Sequence, residues 1–208
     1  IYFAEPMFQD GVIATAAQGV VDRGVTYFSS AGNQATFGVD DVYIDSGVTL
    51  GDFGEYNLHD FDPGPGVDTY AAITLDANEG VLVVMQWNDP FATGGGPGAS
   101  DDYDIFLLDA PSPSANVLAT STDLQGCGWA VEPSGDPLEI VEYTADVATT
   151  AYLVVGKYCD GATPGTGEHL RLATFGSGNS VTALGFEADV FVDSQMYGHS
   201  AAEGAVAV

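Results

Sequence analysis

Between about residue 50 and about residue 192 no stretch of this chain keeps a helical period, and that constrains the fold more than any other feature. Short runs of β-branched, aromatic and aliphatic residues alternate there with clusters of Gly, Pro, Asp and Asn. Strand candidates fall at 69–75, 81–87, 104–108, 116–121, 138–143, 151–157, 170–175 and 185–191. In the second of these, Val81, Val83, Met85 and Trp87 share one face while Leu82, Val84 and Gln86 share the other, the two-residue period of a strand. About eight strands at this spacing read as an antiparallel sandwich. Their order in space is not encoded in the spacing.

The first forty residues follow another grammar. Asp10 suits a helix N-cap, Val12, Ile13, Ala16, Ala17, Val20 and Val21 recur at helical spacing, and Gly24 falls where a helix terminator is expected. Val25-Thr26-Tyr27-Phe28 then reads as a buried strand that stops at Ser30-Ala31-Gly32-Asn33. A helix feeding directly into a strand predicts an α/β layer with a parallel sheet. Ligands in such layers collect at the carboxyl ends of strands, and Asn33 lies just past one. After Val192 the sequence turns small and apolar again, and 198–208 suits another buried helix or strand. The expected organisation is an α/β segment over 1–40, an inserted β-sandwich over 50–192 and a return to the first unit over 196–208. The mid-strand opening at Ile1-Tyr2-Phe3 and the apolar ending read as a piece of a longer protein. No internal repeat is present, and the Gly94-Gly95-Gly96-Pro97-Gly98 run lacks the following Lys and helix of a phosphate cradle.

Charge narrows the partners. Asp and Glu number 30 against 3 Lys and Arg, a net charge of −27, so nucleic acid and anionic membrane are both repelled. The excess fits a protein of saline surroundings, a calcium-loaded extracellular protein, or both, and the scarcity of Lys favours the first. No apolar run approaches the ~18 residues of a transmembrane helix. Cys127 and Cys159 sit in Gly-rich sequence. An extracellular setting favours a bridge between them, closing a loop of about 30 residues worth ~3–4 kcal/mol in the chain-entropy model, over two buried thiols.

The stretch from Gln9-Asp10-Gly11 to Gly24-Val25, followed by Ser30-Ala31-Gly32-Asn33, resembles the helix, strand and oxyanion asparagine of subtilisin-like serine proteases (subtilases). Residues 198–208 resemble the segment that leads into the next core strand in one bacterial branch of that family. Members of the branch carry a β-rich insert between the two segments, opening on a Phe-His-Asp-Phe-Asp-Pro-Gly-like motif. The corresponding residues here are Leu58-His59-Asp60-Phe61-Asp62-Pro63-Gly64. The resemblance implies an α/β subtilisin-like core fragment, a helix plus parallel strands, with a large inserted all-β antiparallel sandwich. It implies that Asn33 donates its side-chain amide to the tetrahedral oxyanion. Such a donor lowers the barrier by roughly 2.7–4 kcal/mol, a figure belonging to subtilisin itself. Gly198-His199-Ser200-Ala201-Ala202 partly imitates the family's Gly-Thr-Ser-x-Ala-x-Pro nucleophile motif but departs at His199 and at Gly204. Ser200 therefore reads as part of the approach to a strand, and His199 as a turn-fixing residue. The triad is expected outside the chain, which alone should not cleave peptides.

Ser100-Asp101-Asp102-Tyr103-Asp104-Ile105 resembles the Asp-x-Asp-hydrophobic strand of sandwich domains in secreted bacterial proteases. Alternate carboxylates on a strand lie on one face, so Asp102 and Asp104 are the candidate ligands for calcium, whose shell is built from oxygen. The bland reading is a solvated acidic edge, cheap in so acidic a chain. Asp60, Asp62 and Asp68 form a second acidic loop in which that reading is preferred. Trp87 and Trp129 read as core residues ahead of sugar platforms, and His59 and His169 lack the spacing of a zinc site. Together these features predict part of a secreted subtilisin-like serine endopeptidase acting on protein or peptide substrates. The rival expectation is a non-catalytic extracellular sandwich that binds a ligand or calcium.

Overall fold

The computed structural model describes residues 3–32, 38–51, 55–62, 64–126, 135–158, 168–176 and 196–208. In chain order the elements are α1 (Val12–Val21), β1 (Tyr27–Ser29), β2 (Gly38–Val42), β3 (Asp45–Leu50), β4 (Tyr56–His59), β5 (Ala71–Leu75) and β6 (Gly80–Trp87). They continue with β7 (Tyr103–Leu108), β8 (Val117–Ser121), β9 (Leu138–Thr144), β10 (Thr149–Lys157), β11 (His169–Gly176), a short 3-10 turn (Gly198–Ala201) and β12 (Ala205–Ala207).

Two antiparallel sheets dominate. The four-stranded sheet has the order β2-β11-β6-β9; the six-stranded one runs β3-β4-β10-β7-β8, with β5 also paired to β10. Their facing sides make one core. Val83, Met85 and Trp87 of β6 and Leu170 and Leu172 of β11 meet Tyr103, Ile105 and Leu107 of β7 and Leu153 and Val155 of β10. On β7 the alternate residues Phe106 and Leu108 point the other way, into a smaller cluster with Leu50, Leu58 and Val154 on the outer side of the six-stranded sheet. Both faces of β7 are thus buried. That explains the unbroken apolar run in its second half, a pattern usual for central strands.

The α/β expectation is corrected. Among the described residues 43% are in strands and 9% are helical, there is a single α-helix, and the large sheets are antiparallel. A helix running into a strand is a local pattern; it makes a layer only if the pattern repeats, and here it does not. Among the described residues the parallel content is one three-residue pair, β1 with β12, in register Tyr27↔Ala205, Phe28↔Val206 and Ser29↔Ala207. α1 covers one face of that pair, where Ala14, Ala17 and Ala202 pack with Tyr27 and Ala205. The helix also begins one residue later than the sequence suggests. Gly11 is its N-cap, without a side-chain cap, and Asp10 plays no such part.

The small unit is tied to the sandwich by a buried side chain near the end of β6. Gln86, with no exposed surface, accepts from the Met7 N–H at 2.8 Å and donates to the Glu5 carbonyl at 2.9 Å. Glu5 in turn accepts from the His199 backbone N–H and contacts His199 Nδ1, both at 2.6 Å. The second contact spans 194 positions of sequence and joins the first described residues to the last.

The strand candidates at 69–75, 81–87, 104–108, 116–121, 138–143, 151–157 and 170–175 overlap β5 to β11. Those at 185–191, together with Asn33, Trp129, Cys127 and Cys159, lie outside the described residues. The strands β2, β3 and β4 had no counterpart in the sequence reading. Their pattern is weak because Asp40, Asp41, Asp45, Ser46, Asn57 and His59 interrupt the apolar positions.

Candidate functional site

Two places carry the residues singled out by sequence. The first is the carboxyl end of β1. The parallel pairing extends past the strand, because Val208 N–H donates to the Ser29 carbonyl at 2.9 Å and Ala31 N–H to the Val208 carbonyl at 3.0 Å. Gly32 then takes a φ of 93°, a conformation that favours glycine, with its N–H on Ser30 Oγ at 3.2 Å. The Ser-Ala-Gly turn therefore leaves a parallel strand where such sheets present ligand-binding groups. Asn33 follows next in sequence.

Ser200 is 2% exposed, and its hydroxyl donates to the Tyr197 carbonyl at 2.8 Å inside the 3-10 turn. His199 is turned to Glu5. Ser200 is committed to holding its turn.

The second place is a pocket of about 490 Å³ on the outer side of the six-stranded sheet. Asp104 on β7 and Asp102, the residue before its first, both line it, each 2% exposed. They are two residues apart and so share a face. Glu55 and Tyr56, at the start of β4, line it together with Leu124 and Tyr158. The Tyr56 and Tyr158 rings stand 5.3 Å apart. Asp102 is an anchor: its carboxylate accepts from the Gln125 N–H at 3.2 Å and its carbonyl from the Tyr158 N–H at 2.9 Å. Asp104 is different, because its Oδ1 is buried with no hydrogen-bond partner.

The electrostatics follow from burying carboxylates beside one another. Loss of water, then the charges of Asp102 and Glu139, push Asp104 up to about 8, against a smaller downward pull from a Tyr56 hydrogen bond. Burial raises Asp102 to about 6. Glu139, on β9, is raised to about 7, again mainly by burial, although Ser121 Oγ, Gln125 Nε2 and the Asp123 N–H all donate to it. Glu139 is thus satisfied and ties β8 to β9, while Asp104 faces the pocket with an oxygen to spare.

The calcium expectation places Asp102 and Asp104 together, and together they lie. Among the described residues, however, no three His, Cys, Asp or Glu side chains converge as a metal group. The acidic loop at Asp60, Asp62 and Asp68 is held internally. Asp60 Oδ1 accepts from the Asp62 N–H at 3.0 Å and the Asp68 N–H at 2.8 Å. Trp87 is fully buried in the core, and His59 is buried against Tyr43 and Phe61.

The sequence reading missed Glu55, Tyr56 and Tyr158. Each is unremarkable locally, and only the β3–β4 hairpin and the end of β10, packed beside β7, make them a wall. No helix among the described residues is long and apolar enough to cross a membrane. No family model matches the chain, and no curated protein matches it either.

Proposed function

We propose that this chain is part of a secreted subtilisin-like serine endopeptidase, to which it contributes the oxyanion asparagine, Asn33, and an accessory β-sandwich. The observation that carries the reading is the parallel β1–β12 pair, with the Ser-Ala-Gly-Asn sequence at its carboxyl end. A lone parallel pair is rarely stable, because parallel strands are normally buried on both faces. Here Phe28 and Val206, directly opposite one another, are 64% and 42% exposed, and Val12 on the adjoining helix is 73% exposed. Those surfaces suit a pair that adjoins the remainder of a catalytic unit carrying the Asp, His and Ser of the triad.

In that enzyme a serine attacks the scissile carbonyl, histidine takes its proton, and the Asn33 amide donates to the oxygen as it becomes negative. Because this donation strengthens in the transition state, Asn33→Ala in the full-length protein should lower kcat on a peptide substrate by about 10²–10³ with little change in KM. A loss of less than a few-fold removes the assigned role. One observation favours a second reading, a binding module without catalysis: the sandwich carries a pocket lined by a carboxylate with an unpartnered oxygen. The flanking coding sequence separates the two readings, since only the protease requires Asp-Gly and His-Gly-Thr motifs upstream and Gly-Thr-Ser downstream.

A further inference from the structure

We infer that the pocket between β4, β7 and the end of β10 is a binding site for an organic cation, namely the guanidinium of an arginine side chain on a peptide or protein. The site is independent of the protease reading, because neither Asn33 nor the parallel pair enters it.

Four observations converge. Asp104, 2% exposed, lines the pocket and its buried Oδ1 has no hydrogen-bond partner. An orphaned buried carboxylate oxygen is costly and calls for a donor. The chain has no cation of its own to offer, for its 3 Lys and Arg are placed elsewhere. Arg23 follows α1, Lys157 pairs with Asp101 at 2.6 Å, and Arg171 reaches Asp40 at 3.6 Å. The walls are aromatic and aliphatic: Tyr56, Tyr158 and Leu124. A flat guanidinium stacks on tyrosine rings and donates two hydrogen bonds to a carboxylate at once. Calcium instead takes six to eight oxygens and gains nothing from aromatic walls. The volume of about 490 Å³ also holds a side chain more naturally than a bare ion.

Binding in this geometry has a proton signature. Asp104 is raised to about 8 by burial and by the charges of nearby carboxylates, Asp102 just before β7, Glu139 on β9 and Asp123 after β8, with Tyr56 as the neutral donor. A guanidinium must displace that proton. Affinity should therefore fall by up to about tenfold per unit as the pH drops below about 8.

The test uses the full chain at low ionic strength and pH 8.5, titrated calorimetrically with Nα-acetyl-arginine amide, its neutral citrulline analogue, spermidine and calcium chloride. The arginine probe should bind, the citrulline analogue should not, and Asp104→Asn should weaken binding at least tenfold while keeping a native circular dichroism spectrum and a cooperative melt no lower than that of the wild type. Tyr158→Leu provides a second variant that keeps every carboxylate and should also weaken the arginine probe. No arginine binding, or binding indifferent to both substitutions, overturns the proposal. Spermidine binding as tightly as arginine reduces the pocket to a general acidic surface and overturns it too. So does calcium that occupies the site more tightly and blocks the arginine probe.

Discussion

At the scale of single residues, the buried ionisable groups make stability depend on pH in a definite sense. Asp104, Glu139 and Asp102 have folded values raised to about 8, about 7 and about 6, above their ordinary carboxylate range. The folded state therefore holds more protons than the unfolded one as pH falls through this window, and stability rises from pH 9 towards pH 6. His59 acts in the opposite direction. Burial lowers it to about 4, so below its ordinary value the unfolded chain binds the proton and the fold weakens. The melting temperature should climb as the pH is lowered from 9 to 6, by at least several degrees, with His59 reducing the slope below about pH 6.5 without reversing it; about 1 kcal/mol moves it ~2–4 °C in a chain of this size. Asp104→Asn should flatten the alkaline side. A wild-type melting temperature that is level or higher at pH 9 contradicts the assignment. Sequence suggested that Asp102 and Asp104 share a face. It held no sign that one would anchor Gln125 and Tyr158 while the other kept a bare oxygen, because those partners arrive from other strands.

At the scale of elements, α1 and its two short strands depend on the sandwich. Gln86 reaches from β6 to the backbone of Glu5 and Met7, and it is fully buried. Gln86→Leu leaves an N–H and a carbonyl unsatisfied, at about 1–3 kcal/mol each. The loss should appear locally, as faster proteolytic cleavage within residues 3–24, with cleavage of the sandwich little changed. Equal cleavage rates in wild type and variant would show that the segment is held by other contacts. The period-2 pattern of β6 correctly separated Gln86 from the core-facing Val83, Met85 and Trp87. That pattern describes faces within a strand, and it is silent about which distant backbone covers the second face. The expectation of an α/β layer failed for a related reason: helix-then-strand order was read as a repeating architecture when it occurs once.

At the scale of the whole molecule, a net charge of −27 on 208 residues repels itself. Salt shortens the reach of that repulsion from about 30 Å at 0.01 M to about 3 Å at 1 M. The melting temperature should rise steadily across this range of sodium chloride, and a flat response would mean that the carboxylates are too well separated to matter. By itself, the sequence determined the strand-rich middle, the net charge, and the helix near the start with its following strand. Each of these depends on local period or on composition, which do not require knowing what lies next to what. Tertiary structure alone decided the two-sheet order, the dominance of antiparallel pairing, the parallel meeting of β1 with β12, and the gathering of Glu55, Tyr56 and Tyr158 around Asp104. These are contacts between residues far apart in the chain, fixed by which surfaces bury one another, and no local pattern carries that information.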